Sequence, residues 1–223
     1  MVNLAYNDSG HGEPVLFIDG QGGVGRTWDL HQVPAFLAAG YRVVTFDNRG
    51  VGATANAEDF TVATMVADTV ELIETLDMCP VRLVAVSMGS HIAQELMLAR
   101  PELVSQAALM ATCGRQDRAR EFFHPAEEDF ANSGVRLPPT YDAKLRLLEG
   151  FSAKTLNDEK AVQDWIDTFA LWPRKSTPHL GAEVADALPN GRYLEIADTG
   201  HLGFLERPHA VNLAILDFFA DGS

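Results

Sequence analysis

Apolar residues in this chain follow two alternating patterns. Short, nearly unbroken apolar runs stand near Leu4, Val15, Val43, Val84, Leu109 and Leu194, and stretches with helical spacing, such as TMVADTVELIETL and HIAQELMLA, separate them. Runs of four to eight apolar residues read as strands buried on both faces, and their alternation with amphipathic helices predicts an α/β protein with a mostly parallel sheet. From about Arg115 to Trp172 the strand-like runs stop and helical patterns such as DAKLRLLEGF and AVQDWIDTFALW take over. This predicts a helical cap at 115–176, inserted into a core made of 1–114 and 177–223. The aromatics of that block, Phe122, Phe123, Phe130, Trp165, Phe169 and Trp172, either line a pocket or pack the cap; helical spacing favours packing.

One junction between the two patterns carries chemistry. In VRLVAVSMGS, Val81, Leu83, Val84 and Val86 form a strand-like run, and Ile92, Ala93, Leu96 and Met97 follow at helical spacing, so Ser87 falls at a strand-to-helix turn. Ala85 and Gly89 flank it two residues away on either side, which is the small-x-Ser-x-small arrangement of a nucleophile elbow with alanine in place of the usual first glycine. The plain alternative is a buried serine after an ordinary strand. A serine hydroxyl is a poor nucleophile, so the reading requires a base and donors for the oxyanion. His201, in ADTGHLGFLERP, stands on a loop after the run Tyr193, Leu194, Ile196 and before a helix starting near Pro208. Serine first and histidine last is the chain order of α/β-hydrolases. Upstream, Val15 to Ile18 run into Asp19, Gly20, Gln21, Gly22 and Gly23, and the backbone amides of Gln21 and Met88 are the candidate oxyanion donors.

The same glycine loop supports a rival. Gly20, Gly22 and Gly25 satisfy GxGxxG after a strand, and Asp47 ends the next strand at the spacing of a ribose-binding acid. Against a dinucleotide, Arg26, Thr27 and Trp28 intervene before any helix, and Pro34 is expected to delay it further. Asp47 also opens DNRGVG, a DxRGxG loop.

These segments together carry a resemblance. DGQGGVGRTWD, HQVPAFLAAGYRVVTFDNRGVG, VSMGS and GHLGFLERP are similar to α/β-hydrolases, and in particular to the actinobacterial cofactor-free, non-haem bromoperoxidase group. The resemblance implies an α/β-hydrolase fold, Ser87 as nucleophile, His201 as base, and an ester or acyl substrate of small size. It implies an acyl-enzyme that water resolves to an acid, and hydrogen peroxide to a peracid able to oxidise bromide. No metal and no cofactor is expected. Many relatives are esterases, lactonases or carbon–carbon bond hydrolases, so the fold does not fix the substrate. Asp19 departs from the histidine common before the oxyanion glycine, and His91 is unusual after the elbow; a helix-surface residue is its simpler reading.

One expected part is missing. The family's catalytic acid follows a strand between cap and last αβ unit, yet only Pro173 to Pro178 lie between DWIDTFALWPRKSTP and HLGAEVADALPNGRYLEIADTGH. A βα unit's worth of chain, a few tens of residues, is absent around Thr177 and Pro178. Asp198, three residues before His201, and Asp117, after the strand AALMAT, are substitutes, and the acid is left unassigned. This predicts either an impaired enzyme or a binding and scaffold protein on a hydrolase frame.

The 223 residues, 47% of them hydrophobic, suffice for one substantial core. A formal charge of -14 opposes binding to nucleic acid or anionic lipid. No run approaches a membrane span, and no secretory signal pattern opens the chain, so a cytoplasmic protein is expected. Cys79 and Cys113 read as reduced thiols rather than a disulfide or metal site.

Overall fold

The computed structural model describes residues 3–54, 61–112, 126, 129–130, 133, 135, 137–170 and 190–221. Its centre is a five-stranded sheet: β1 (Tyr6–Ser9), β2 (Pro14–Ile18), β3 (Arg42–Phe46), β4 (Val81–Val86) and β5 (Val104–Met110), in the order β1-β3-β2-β4-β5. β1 pairs antiparallel with β3, and the remaining neighbours are parallel. Leu4, expected in the first strand, is buried just before it, whereas β1 itself is the exposed polar segment YNDS. Such an edge strand is held by backbone pairing rather than by burial.

Helices cover both faces. On one side α2 (Val62–Thr75) and α3 (Met88–Ala99) bury Met65, Leu72, Ile73, Ile92 and Leu96 against Leu16, Ile18, Leu83 and Ala85. On the other, α1 (Gln32–Ala38) and α8 (Pro208–Ala220) bury Phe36, Val211, Ile215 and Phe219 against Val15, Phe17 and Val84. Every residue of β4 is buried, which is why its sequence reads as a continuous apolar run. The single charged member, Arg82, bonds Glu13 and Gln106 and lies over the rings of Tyr41 and Phe219. Thr61 caps α2 reciprocally with Thr64.

The chain leaves β2 toward β3 on one side and returns to β4 on the other. The strand order therefore reverses between β2 and β4, and the crevice beyond their carboxyl ends is where ligands bind in open α/β sheets. Asp19–Gly23 and Ser87 emerge at that crevice.

Within 115–176, the segment expected as a cap, the described helices are α4 (Pro139–Gly150), α5 (Ala153–Leu156) and α6 (Glu159–Ala170). Trp165 and Phe169 pack with Phe151, at centroid distances of 4.9 and 6.0 Å, in an apolar cluster with Ala143 and Leu147. Both aromatics pack in this cluster, and Trp165 also lines a cleft. Phe130 is exposed, and Phe122, Phe123 and Trp172 lie outside the described residues.

Two expectations need correction. Pro34 does not delay the helix: it sits in the first turn of α1, where a residue without an N–H costs nothing. Residues 191–196, expected as the last strand, are not a strand, and Tyr193 and Leu194 are exposed. A strand forms only where a neighbour pairs its backbone, and among the described residues the sheet ends at β5. The short α7 (Gly203–Glu206) and α8 follow regardless.

Candidate active site

Ser87 stands between β4 and α3 with φ 56° and ψ -123°, a conformation that L residues other than glycine rarely adopt. The strain is sustained because the surroundings determine it. The Ser87 amide donates to Met110 O at 3.0 Å, and the Ser90 amide donates to Ser87 O at 2.9 Å to begin α3. The small neighbours are steric requirements. A methyl group on Gly89 would run into the carbonyl oxygens of Ile18 and Asp19 at the end of β2, and one on Gly20 would lie 3.1 Å from Ser87 Cβ. The elbow and the glycine loop therefore press on each other, which is the contact an oxyanion site needs.

The loop is a tight turn in which the Gly23 amide donates to Gly20 O at 3.1 Å and Gly22 takes φ 71°. Gln21 rides exposed on this turn, one residue after the Gly20 that lies against Ser87, and Met88 opens α3 directly after the serine. Asp19 lies beneath. Its Oδ1 accepts the Gly20 amide at 2.7 Å, Gly23 is packed against the carboxyl, and Asn48 Nδ2 donates to Asp19 O at 3.4 Å. Burial pushes the Asp19 carboxyl up to about 7, opposed by the Gly20 amide and the Thr27 hydroxyl and helped by the neighbouring Asp47.

The dinucleotide reading does not fit these contacts. The glycine loop enters a 3-10 helix, Gly25–Leu30, and α1 begins only at Gln32. Both oxygens of Asp47 are taken by backbone amides, Oδ1 by Gly25 and Oδ2 by Ala53, each at 2.8 Å. Gly25 lies against the backbone of Phe46. Each residue of the supposed fingerprint thus has a steric or capping role. The DxRGxG arginine, Arg49, forms a buried bidentate pair with Asp68 at 2.6 and 2.7 Å.

His201 is partly buried on the loop before α7, and its Nδ1 is a buried atom. The residues after it fasten the loop to the carboxyl end of the sheet. Leu202 and Phe204 join the apolar cluster of Val84, Val86, Met110 and Trp28; Phe204 lies 4.5 Å from the Trp28 ring, and Gln32 Nε2 donates to Phe204 O at 2.8 Å. Glu206, quoted above only as part of GHLGFLERP, is the residue whose role sequence reasoning missed. Its carboxylate accepts the Gly200 amide at 2.6 Å, the Ser152 hydroxyl at 2.8 Å, the Ser152 amide at 3.2 Å and the Thr155 hydroxyl. One buried-side acid so ties the peptide preceding His201 to the start of α5 in the cap. The one available signal was its fixed spacing from His201.

Of the substitute acids, Asp198 faces outward in an ion pair with Lys154 at 2.8 Å, whose ammonium holds its carboxyl below the ordinary value. Asp117 and Cys113 lie outside the described residues, as does 171–189. His91 is partly buried in the first turn of α3, and its amide donates to Ser87 O at 3.3 Å. Among the described residues no group of His, Cys, Asp and Glu could hold a metal, and no helix is long and apolar enough to cross a membrane. A cleft of about 330 Å³ opens between cap and His201 loop, lined by Lys154, Trp165, Glu206 and Arg207 among others.

A model of the alpha/beta hydrolase family matches residues 15–214. A Mycobacterium tuberculosis protein that bears the name non-heme bromoperoxidase BpoC is 60% identical, the match taking in 99% of this chain and 98% of the relative. That match runs over 258 positions although this chain has 223 residues, so the relative carries at least 35 positions to which nothing here corresponds. Its crystal structure superposes with a TM-score of 0.95 at 59% identity, covering 100% of this chain and 97% of that one. A thermophilic esterase from Thermogutta terrifontis shares the fold at 22% identity, with a TM-score of 0.76 over 98% of this chain and 93% of its own.

Proposed function

The chain belongs to the α/β-hydrolase family, and on that premise we propose that it is a serine hydrolase acting on a small ester or other acyl compound. The observation that carries this reading is Ser87 at φ 56° with the Gly20–Gly23 turn packed against it. Ser87 Oγ attacks the acyl carbonyl as His201 takes its proton, and the amides of Gln21 and Met88 receive the developing oxyanion. The leaving group departs with that proton, giving an acyl-enzyme. Water then yields the acid; hydrogen peroxide in its place yields a peracid, which can oxidise bromide. The name borne by the 60% identical relative favours this second branch. The reading treats 115–176 as a cap over a core of 1–114 and 177–223, in a cytoplasmic protein needing no cofactor.

Three observations favour a weaker enzyme. At least 35 positions of the relative are unmatched here, residues 191–196 form no strand, and the only substitute acid within view, Asp198, is bound to Lys154. On this ground we place the missing positions in the strand and acid that precede the His201 unit, leaving an enzyme of low turnover or a scaffold that binds acyl compounds.

A fluorophosphonate probe with peptide mapping tests the site. Labelling of Ser87 and of no other serine is expected, with loss of p-nitrophenyl ester hydrolysis in Ser87→Ala at unchanged circular dichroism. Hydrolysis by a pure Ser87→Ala sample at the parent rate sinks the proposal.

A further inference from the structure

Asp19 is a buried acid on the glycine turn that the reaction above does not use. It is 6% exposed, one of its oxygens accepts the Gly20 amide, and its other oxygen, Oδ2, is buried without a hydrogen-bond partner. Gly23 closes over the carboxyl, and Gly20 on the same turn touches Ser87. Of the groups packed around it, Gly20, Gly23, Thr27 and Asn48 are uncharged, and Asp47 at the end of β3 is the charged one, a like charge. A buried carboxyl whose Oδ2 makes no hydrogen bond, with Asp47 nearby and no cation among the described residues packed around it, is far less costly as a neutral acid.

Resting on the serine-hydrolase reading, we propose that Asp19 is a positioning residue of the oxyanion turn that works as a neutral acid. As such it holds the Gly20 amide and so fixes the peptide that presents Gln21. When it ionises, a negative charge sits within the turn that must receive a second one on the substrate oxygen. At the separations set by the Gly20–Ser87 contact the repulsion slows the acyl-transfer step on the order of tenfold or more. The labelling rate therefore falls as Asp19 loses its proton near the value of about 7 that burial imposes.

The test is the rate at which a neutral fluorophosphonate labels Ser87 across the pH range, in the parent and in Asp19→Asn. In this step the serine oxygen bonds to phosphorus, fluoride leaves, and His201 takes the hydroxyl proton. The amide of the variant keeps an acceptor for Gly20 but cannot ionise. The parent rate is expected to fall as pH rises through about 7, while Asp19→Asn lacks that fall and labels about tenfold or more faster than the parent at high pH. An alkaline fall of the same size and midpoint in both proteins overturns the role of Asp19 alone. Absence of labelling in both proteins at every pH overturns the hydrolase reading and this inference with it. Should Asp19→Asn fail to fold, carboxyl-carbon NMR of the parent decides: titration of Asp19 together with the fall in rate supports the proposal, and a carboxyl already ionised at acidic pH overturns it.

Discussion

Ser87 shows how much of the candidate site is local chemistry. Its positive φ is imposed by the β4–α3 turn, and strain of this kind costs on the order of 1–3 kcal/mol. Glycine adopts the same conformation freely but loses more chain entropy on folding. Ser87→Gly should therefore raise stability by about 1 kcal/mol in urea unfolding while abolishing probe labelling, a combination that a merely structural serine does not produce. Gly89→Ala should do the opposite, losing about 3 kcal/mol, because the new methyl meets the carbonyls of Ile18 and Asp19, backbone that cannot step aside. Asp19 adds a pH signature. Its folded value, about 7, lies above the ordinary 3.8, so the folded state binds a proton that the unfolded state releases, and Asp19 weakens folding progressively as pH rises from about 4 to about 7. The stability advantage of Asp19→Asn over the parent should grow across that window by as much as about 4 kcal/mol and stay level above it. Ser87 and its small neighbours were legible in sequence because the elbow is a contiguous motif. The raised pKa of Asp19 was not, since it arises from burial of the carboxyl beneath the glycine turn, with Asp47 nearby, and a departure from the family histidine says nothing about burial.

Among the elements, those whose own residue pattern specifies a buried face matched expectation, and those that depend on one particular distant partner did not. The apolar run of β4 and the helical spacing of α2, α3 and α8 each specify a buried face, so they were read correctly. Residues 191–196 have strand-like composition, but a strand is a relation between two chains of backbone, and Tyr193 and Leu194 stay exposed where that relation is lacking. The Glu206 clamp is of the same non-local kind: it links α7, the peptide before His201 and the start of α5 across 54 residues of chain. Removing the carboxylate leaves the Gly200 and Ser152 amides and two hydroxyls without their acceptor, each worth about 1 kcal/mol or more when partly buried. Glu206→Ala should cost about 3 kcal/mol in denaturant unfolding, and hydrogen exchange should quicken at Gly200 and Ser152. If exchange at Gly200 is unchanged, the clamp does not hold the His201 loop.

At the scale of the whole molecule, the sheet and the site are at odds. Five strands, both helical layers and the crevice between β2 and β4 are present, and the chain follows a 60% identical relative from end to end. Yet at least 35 positions of that relative have no counterpart, and after β5 the described chain supplies no further strand. An insertion or loss in a surface loop leaves a fold intact, because closure entropy grows slowly with loop length; the loss of a sheet strand removes both a pairing partner and whatever side chain it carried to the site. If that side chain is the acid that orients His201 and stabilises the imidazolium, the serine keeps the oxyanion amides but loses most of its activation. Turnover of a p-nitrophenyl ester should then lie on the order of ten thousand-fold below a full-triad relative, the scale on which neutralising a triad aspartate acts. Grafting the relative's unmatched segment between Ser176 and His179 should restore several powers of ten in kcat, and should draw Tyr193 and Leu194 out of solvent as 191–196 finds a neighbour to pair with. Replacing the grafted acid by its amide separates the two effects. The burial of Tyr193 should survive that change, measured by its fluorescence quenching, while the gain in kcat should not. If the unaltered chain already turns over as fast as the full-triad relative, another carboxylate serves His201, and separate substitution of Asp117 and Asp198 by asparagine identifies it.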